Sequence, residues 1–502
     1  MDRTEHEIGT VQSVDEWPAF WARYAPDRTV ILFDGRAITW AELEDRSARL
    51  AGGLRAAGIA KGDRVGFLSR NTPEFFETLI ACARLGAIFV PFNIRLAAGE
   101  MAYMTGNAGL SLLIAETFFA DRLDGVLPQV ADAYFLDGTP SADALDDAEP
   151  VRAADDVTPA DPLLLVYTSG TTGHSKAAVI SHGNAAGTAI AVINAEGLHP
   201  DDRVVLPAPL AFAGSVLSIG LPFLQAGASM VIERELDPVH LLDDIERLGV
   251  TMLKLVPVIY QIMAASPGFA ERDLSGLRSP TYGGAPASME LLRTYQDRGV
   301  PLSGAYGLTE GCGYNLLLPA AEALTRIGWA GKPLPFQRCR IVDEYGDEVP
   351  AGEVGELVIS GPCVMQGYWR DPAATAATIR DGWLHTGDLA LTDGLGYFTI
   401  VDRAKDMLIS GGLNVYPAEV ERALRLHPAV VDVAVIGVPD ERWGETPLAC
   451  VVSNDPKLTL ESLVAGVADE LADYKRPRRL RLLDELPRNA NGKILKRALR
   501  EL

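Results

Sequence analysis

The chain has 502 residues, 48% of them hydrophobic, and carries a formal net charge of −22 at pH 7. That length exceeds one ordinary core and calls for two or more domains, while the acidic balance argues against nonspecific binding to nucleic acid or to an anionic membrane. The five cysteines, Cys82, Cys312, Cys339, Cys363 and Cys450, are odd in number and contain no Cys-x-x-Cys, so their pattern suggests neither a disulfide framework nor a zinc site.

The first residues, Met1 to Gly9, are charged and lack an apolar signal core, which predicts a cytoplasmic protein. After Thr39, Leu43, Leu50 and Leu54 recur at helical spacing, and Gly58 and Gly62 close that helix. Arg64 to Leu68 reads as a strand, Thr72 to Leu85 as a helix and Ala87 to Phe92 as a second strand. Such alternation predicts βαβ units and a parallel sheet. Residues 135–161 are rich in Asp, Ala and Pro without periodicity, and predict a solvated connection.

Next comes Val166-Tyr-Thr-Ser-Gly-Thr-Thr-Gly-His-Ser-Lys-Ala-Ala-Val179, entered from the apolar run Leu163 to Val166. Gly170 and Gly173 let the backbone turn tightly and bring its N–H groups to a ligand. Thr168, Ser169, Thr171 and Thr172 add hydroxyls, and Lys176 adds a full positive charge, so the loop suits the oxygens of a polyphosphate. It is not the Walker A pattern, because Ser175 precedes Lys176 and Ala177 follows it.

Val204 to Ile232 contains no charged residue and is long enough to span a bilayer. Its prolines and glycines, Pro207, Pro209, Gly214, Gly220, Pro222 and Gly227, instead predict strand, buried helix, strand, and no membrane span. Met252 to Val256 reads as a strand before a helix, and Ser279 to Pro286 as a strand that ends in a tight turn. Residues 325–400 show short alternating segments that predict a small β-rich subdomain. Past Asp402 the pattern changes to Pro417–Leu426 helix, Val430–Val438 strand and Leu460–Leu471 helix, so a C-terminal domain is expected after a boundary at 402–405.

Four later stretches accompany the glycine-rich loop: Gly304-Ala-Tyr-Gly-Leu-Thr-Glu310, Gly382-Trp-Leu-His-Thr-Gly-Asp388, Asp402-Arg-Ala-Lys-Asp-Met-Leu-Ile-Ser-Gly-Gly412 and Pro487-Arg-Asn-Ala-Asn-Gly-Lys493. In this order the five resemble the adenylate-forming superfamily, which includes acyl-CoA synthetases, luciferase and peptide-synthetase adenylation domains. The resemblance covers the chain from about Trp40 to its end.

It implies an α/β fold: a large N-terminal domain, 1–401, of two α/β subdomains plus the β-rich one, a hinge at 402–405, and a small mobile α+β domain, 406–502. It also implies an ATP-dependent, AMP-forming acyl-CoA ligase that joins an aryl, ring-bearing or medium-chain carboxylic acid to coenzyme A, with Mg2+. The alternative is a stand-alone adenylating enzyme that loads a carrier protein or activates another group, such as nitrite in diazotisation. The partner is a small-molecule acid rather than nucleic acid, and a homodimer is the assembly left open.

Residue roles follow from the same resemblance. Lys493 contacts the substrate carboxylate and α-phosphate; Lys176, Thr309 and Glu310 act on the phosphates, with Glu310 as Mg2+ ligand. The nucleotide is held by the loop from Thr168 to Gly173, by Gly284, Ala285, Pro286 and Tyr306, and by Asp388 and Arg403 on the ribose. Gly411 and Gly412 line the pantetheine channel and Lys405 is the hinge. Phe212, Gly214, Ser215, Tyr282, Gly283, Ala305, Gly307 and Gly311 line the acid pocket. The chain departs from many relatives in having Ser175-Lys176-Ala177 for Pro-Lys-Gly, Ala211-Phe212 for Phe-His, and Ala305 for glycine, which makes the pocket mouth more apolar and slightly narrower.

Overall fold

A computed structural model describes residues 13–153, 156–168, 175–467, 470–488 and 494–502. The chain divides into two compact units, Met1–Cys339 with Ile359–His385, and Arg340–Val358 with Thr386–Leu502. The second unit therefore takes in chain on the N-terminal side of residue 402, including the strand that ends at Arg403.

The first unit is built from two mixed sheets. One has nine strands, in the order Lys332–Pro333, Gly313–Leu318, Ser303–Leu308, Ser279–Gly283, Met252–Leu255, Arg203–Leu206, Ser229–Ile232, Thr29–Phe33 and Arg36–Thr39. Its centre is parallel, as the alternation of strand and helix predicts, and antiparallel strands close both edges. The other has seven strands, with Arg64–Leu68 and Ile88–Pro91 parallel at its middle and the hairpin Pro162–Thr168/Lys176–Ser181 towards one edge.

Local chemistry explains the elements. The helix Trp40–Ala56 starts at a reciprocal cap: Thr39 Oγ1 accepts from the Glu42 amide at 3.2 Å, and the Thr39 amide donates to Glu42 Oε2 at 2.8 Å. Such a cap stabilises a helix by about 1 kcal/mol. The Leu43, Leu50 and Leu54 side chains are buried on its inner face. Residues 204–232 fold as expected, with strand Arg203–Leu206, a helical segment Ala213–Ala226 and strand Ser229–Ile232. Among the described residues no helix is long and apolar enough to cross a membrane.

Two expectations are corrected. The stretch 135–161 is not merely a solvated connection: Asp132–Phe135 pairs at a sheet edge, Leu145 and Val151 are buried, and the Val151 amide donates to the Ala48 carbonyl at 2.9 Å. Single anchors of this kind carry no periodicity. The helix expected over 460–471 ends at Ala465, where Gly466 caps it.

In the second unit, strands Leu413–Val415, Leu408–Ser410, Gly444–Ser453 and Val430–Asp440 lie side by side, and Arg479–Leu482 pairs with Gly444–Ser453. Helices Pro417–Leu424 and Leu460–Ala465 bury Leu424 and Leu463 in a core with Val433, Val435, Ala449 and Val451.

Candidate active site

Strands Ser279–Gly283 and Ser303–Leu308 are parallel neighbours, with Tyr282 opposite Gly304 and Gly283 opposite Ala305. Their carboxyl ends carry Gly284-Ala285-Pro286 and Thr309-Glu310, and ligands of open α/β sheets bind beyond such ends. Gly284 has a left-handed backbone, φ +78, and residues 284–286 are exposed. Tyr306 is half-buried on the same strand, in register with Leu316. Gly307 is exposed and Gly311 buried, where any side chain would meet Asn315.

Glu310 sits in the single turn Thr309–Gly311. Its Oε1 accepts from the Tyr368 hydroxyl at 2.8 Å and from Thr168 Oγ1 at 3.4 Å. Thr168 and Lys176 are register partners at the ends of paired antiparallel strands. Lys176 Nζ stands 3.9 Å from Asp371 and 5.2 Å from the Tyr368 ring centroid. Burial first, and then the charge of Glu310, push the Tyr368 hydroxyl up, so it stays a donor at neutral pH. The structure thus gathers Thr168, Lys176 and Glu310, each named from sequence, around a residue that was not. No local pattern marks Tyr368: it arrives by pairing Gly367–Tyr368 against Ala178 and Val179. Ser169, Gly170, Thr171, Thr172, Gly173 and Lys493 lie outside the described residues.

Phe212 precedes the helix Ala213–Ser215, with Gly214 exposed and Ser215 buried. The next turn, Val216–Gly220, winds as a π-helix, a form frequent at functional sites. Within it Ser218 Oγ accepts from the Tyr314 amide at 3.0 Å. Tyr282 is buried with its hydroxyl over Gly304, and a side chain at Gly283 would meet the Ala305 carbonyl at 3.3 Å and the Tyr314 ring at 3.7 Å. Behind Tyr314, Lys254 and Glu196 form a buried ion pair of 2.5 Å. Tyr314, Ser218 and Lys254 also escaped the sequence reading, because they meet only through the fold.

In the second unit, Asp388 is buried and its Oδ1 lies 2.5 Å from Arg403 Nε, the two being register partners on antiparallel strands. Thr386 Oγ1 donates to the Leu357 carbonyl at 2.7 Å and accepts from the Asp388 amide at 3.1 Å. Lys405 is exposed in the turn that follows. Gly411 and Gly412 form the two-residue loop between Leu408–Ser410 and Leu413–Val415, both with positive φ, +60 and +83. A hairpin loop of that geometry wants glycine whatever passes nearby. A side chain at Gly411 would also strike Trp443, whereas Gly412 faces open space.

Within the first unit, Glu310 and the neighbouring Thr168 hydroxyl are hard oxygen donors of the kind Mg2+ prefers; within the second, Asp388 is a carboxylate able to accept from hydroxyl groups.

Comparison with known proteins follows the same lines. The AMP-binding enzyme family model matches residues 19–369, and the model for the AMP-binding enzyme C-terminal domain matches residues 419–493. A feruloyl-CoA synthase from Amycolatopsis sp is 42% identical over 97% of this chain and 99% of its own length. An indoleacetate–CoA ligase from Aromatoleum aromaticum is 38% identical over 97% of this chain and 98% of its own. Among solved structures, o-succinylbenzoate CoA synthetase from Bacillus subtilis, in complex with the acyl-adenylate intermediate OSB-AMP, superposes with a TM-score of 0.89 at 30% identity, covering 98% of both chains.

Proposed function

The chain belongs to the AMP-binding enzyme family, and from that premise we propose that it activates an aromatic carboxylic acid and transfers it to coenzyme A. The reaction is that of an ATP-dependent, AMP-forming acid–thiol ligase, with ATP, Mg2+ and coenzyme A as cofactors. A carboxylate does not acylate a thiol at neutral pH, because oxide would have to leave. Attack on the α-phosphate of ATP expels pyrophosphate and gives an acyl adenylate, from which AMP leaves when the thiol attacks.

The two half-reactions divide among the chain's residues. Lys493 puts a compact charge on the carboxylate and α-phosphate. The hydroxyls and amides from Thr168 to Gly173, with Lys176, hold the β- and γ-phosphates. Glu310, oriented by Tyr368, provides carboxylate oxygen for Mg2+, which when bound neutralises phosphate charge. Tyr306 and Gly284 to Pro286 flank the adenine, and Asp388 with Arg403 holds the ribose. Lys405 is the hinge about which the C-terminal domain, 406–502, rotates after adenylation; Lys493 leaves and the Gly411–Gly412 loop takes its place beside the pantetheine arm. The exposed turn at Lys405, just past the strand ending at Arg403, supports that role.

The observation that carries the aromatic reading is the end-to-end likeness to ligases named for feruloyl and indoleacetate groups. The residue choice supports it: Gly283 and Ala305 add little side chain near the Tyr314 ring, and Phe212 is apolar. A reducing, cytoplasmic setting belongs to the same reading, supported by five free cysteines. The net charge of −22 supports a partner other than nucleic acid. The test is thioester formation over matched arylpropenoic, arylacetic and straight-chain acids. Higher kcat/KM for the aryl acids is expected; a preference for straight chains would overturn the aromatic assignment.

A further inference from the structure

Glu233, His240 and Asp244 form, among the described residues, the one group of three metal-ligating side chains whose donor atoms lie within 4.8 Å of one another. None of them takes part in the chemistry above. Glu233 follows the strand Ser229–Ile232, and His240 and Asp244 share one face of the helix Pro238–Arg247 at i and i+4. Asp237 fixes the first turn of that helix by accepting from the amides of Val239 and His240 at 2.9 and 3.2 Å. The Glu233 carbonyl is held by Asn71 Nδ2 at 3.0 Å. Both backbones that carry the donors are therefore fixed.

The two separations from His240 suit a coordination site. His240 Nε2 stands 3.4 Å from Asp244 Oδ2 and 3.7 Å from Glu233 Oε2. Those separations exceed the ordinary hydrogen-bond range of about 2.7–3.2 Å. They lie at or just beyond the edges of a coordination tetrahedron, since ligand atoms around zinc at about 2.0–2.2 Å stand roughly 3.3–3.6 Å apart. The second observation is Asp244 itself: its side chain is 1% exposed, its Oδ1 is taken by Arg247, and its Oδ2, turned towards His240, is buried without a hydrogen-bond partner. A buried carboxylate oxygen left in that state is costly, and a cation would satisfy it.

The geometry points to a zinc-type divalent cation site on Glu233, His240 and Asp244, with water completing the tetrahedron from the half-exposed His240 side. The Arg247–Asp244 bond orients one ligand from behind, as outer partners do in metal sites. Such an ion ties the helix Pro238–Arg247 to the end of the strand Ser229–Ile232. It sits one hydrogen-bond junction from the Phe212 segment, because Asn71 also donates to Ala208 and accepts from the Leu210 amide.

Tagless, metal-stripped protein in excess Mg2+ would be titrated with Co2+, followed by its visible absorption, and Co2+ then displaced by Zn2+. One Co2+ per chain is expected. H240A and E233Q should each weaken binding about tenfold or more, and Zn2+ should raise the melting temperature of the wild type but not of H240A. Acid-dependent pyrophosphate exchange in Mg2+ should be unchanged in H240A, which separates this site from the catalytic one. Folded wild type without a Co2+ band, or equal affinity in both variants, would overturn the assignment.

Discussion

Asp388 and Arg403 face each other across paired strands, with Arg403 Nε 2.5 Å from Asp388 Oδ1. The ion pair fixes the direction of the buried carboxylate, while the guanidinium, about a third exposed, remains near water. Replacement of Asp388 by Ala should raise the KM for ATP by roughly 5- to 150-fold, the equivalent of about 1–3 kcal/mol for a lost buried acceptor. Steady-state kinetics with ATP varied decides this, and an ATP KM that stays at the wild-type value removes Asp388 from the ribose site.

Tyr368→Phe deletes one hydroxyl and leaves the ring in place beside Lys176. A hydrogen bond to an ionised group contributes about 1.5–3 kcal/mol, so Glu310 would lose its aim. The apparent affinity for the magnesium nucleotide should fall roughly 10- to 100-fold, with melting temperature little changed. An unaltered Mg2+ dependence would mean that Tyr368 does not orient Glu310.

If Lys405 is the hinge, its φ and ψ change between half-reactions. Proline fixes φ near −65° and constrains the residue before it. Lys405→Pro should keep pyrophosphate exchange near normal and slow thioester formation severely, whereas Lys405→Ala keeps both steps. The two half-reactions are measured separately; a proline variant that makes thioester at the wild-type rate moves the hinge elsewhere.

His182 is fully buried, with Nδ1 2.7 Å from Ser13 Oγ, and burial pushes its pKa down to about 4. Unfolded, it titrates near 6.5. The unfolded chain therefore binds a proton that the folded chain refuses, and stability falls as pH drops from about 6.5 towards 4. Denaturant melts over that window should show a steeper loss in the wild type than in His182→Asn. Parallel curves would exclude His182 as a source of acid sensitivity.

Much of this was legible in the sequence, for identifiable reasons. Helix starts announce themselves locally, so Thr39 with Glu42 and the leucines after them lead straight to Trp40–Ala56. Thr168, Lys176 and Glu310 could be named because each belongs to a short motif, and the fold brings them together. Tyr368 and Tyr314 could not, since their partners lie far away in sequence and meet only through the fold; Glu233, His240 and Asp244 are close in sequence, but no motif marks them. Gly411 and Gly412 teach the opposite lesson. A functional motif supplied one reason for them, and the hairpin turn with Trp443 packed against it supplies another.

In the proposed reaction the carboxylate is adenylated before any thiol takes part. Exchange of labelled pyrophosphate into ATP, run without coenzyme A, isolates that step. The wild type should show exchange that depends on an aryl acid, and Lys493→Ala should reduce it by about 10²–10³-fold or more while still converting supplied acyl adenylate to thioester. Exchange that ignores the acid, or that requires coenzyme A, would contradict the account.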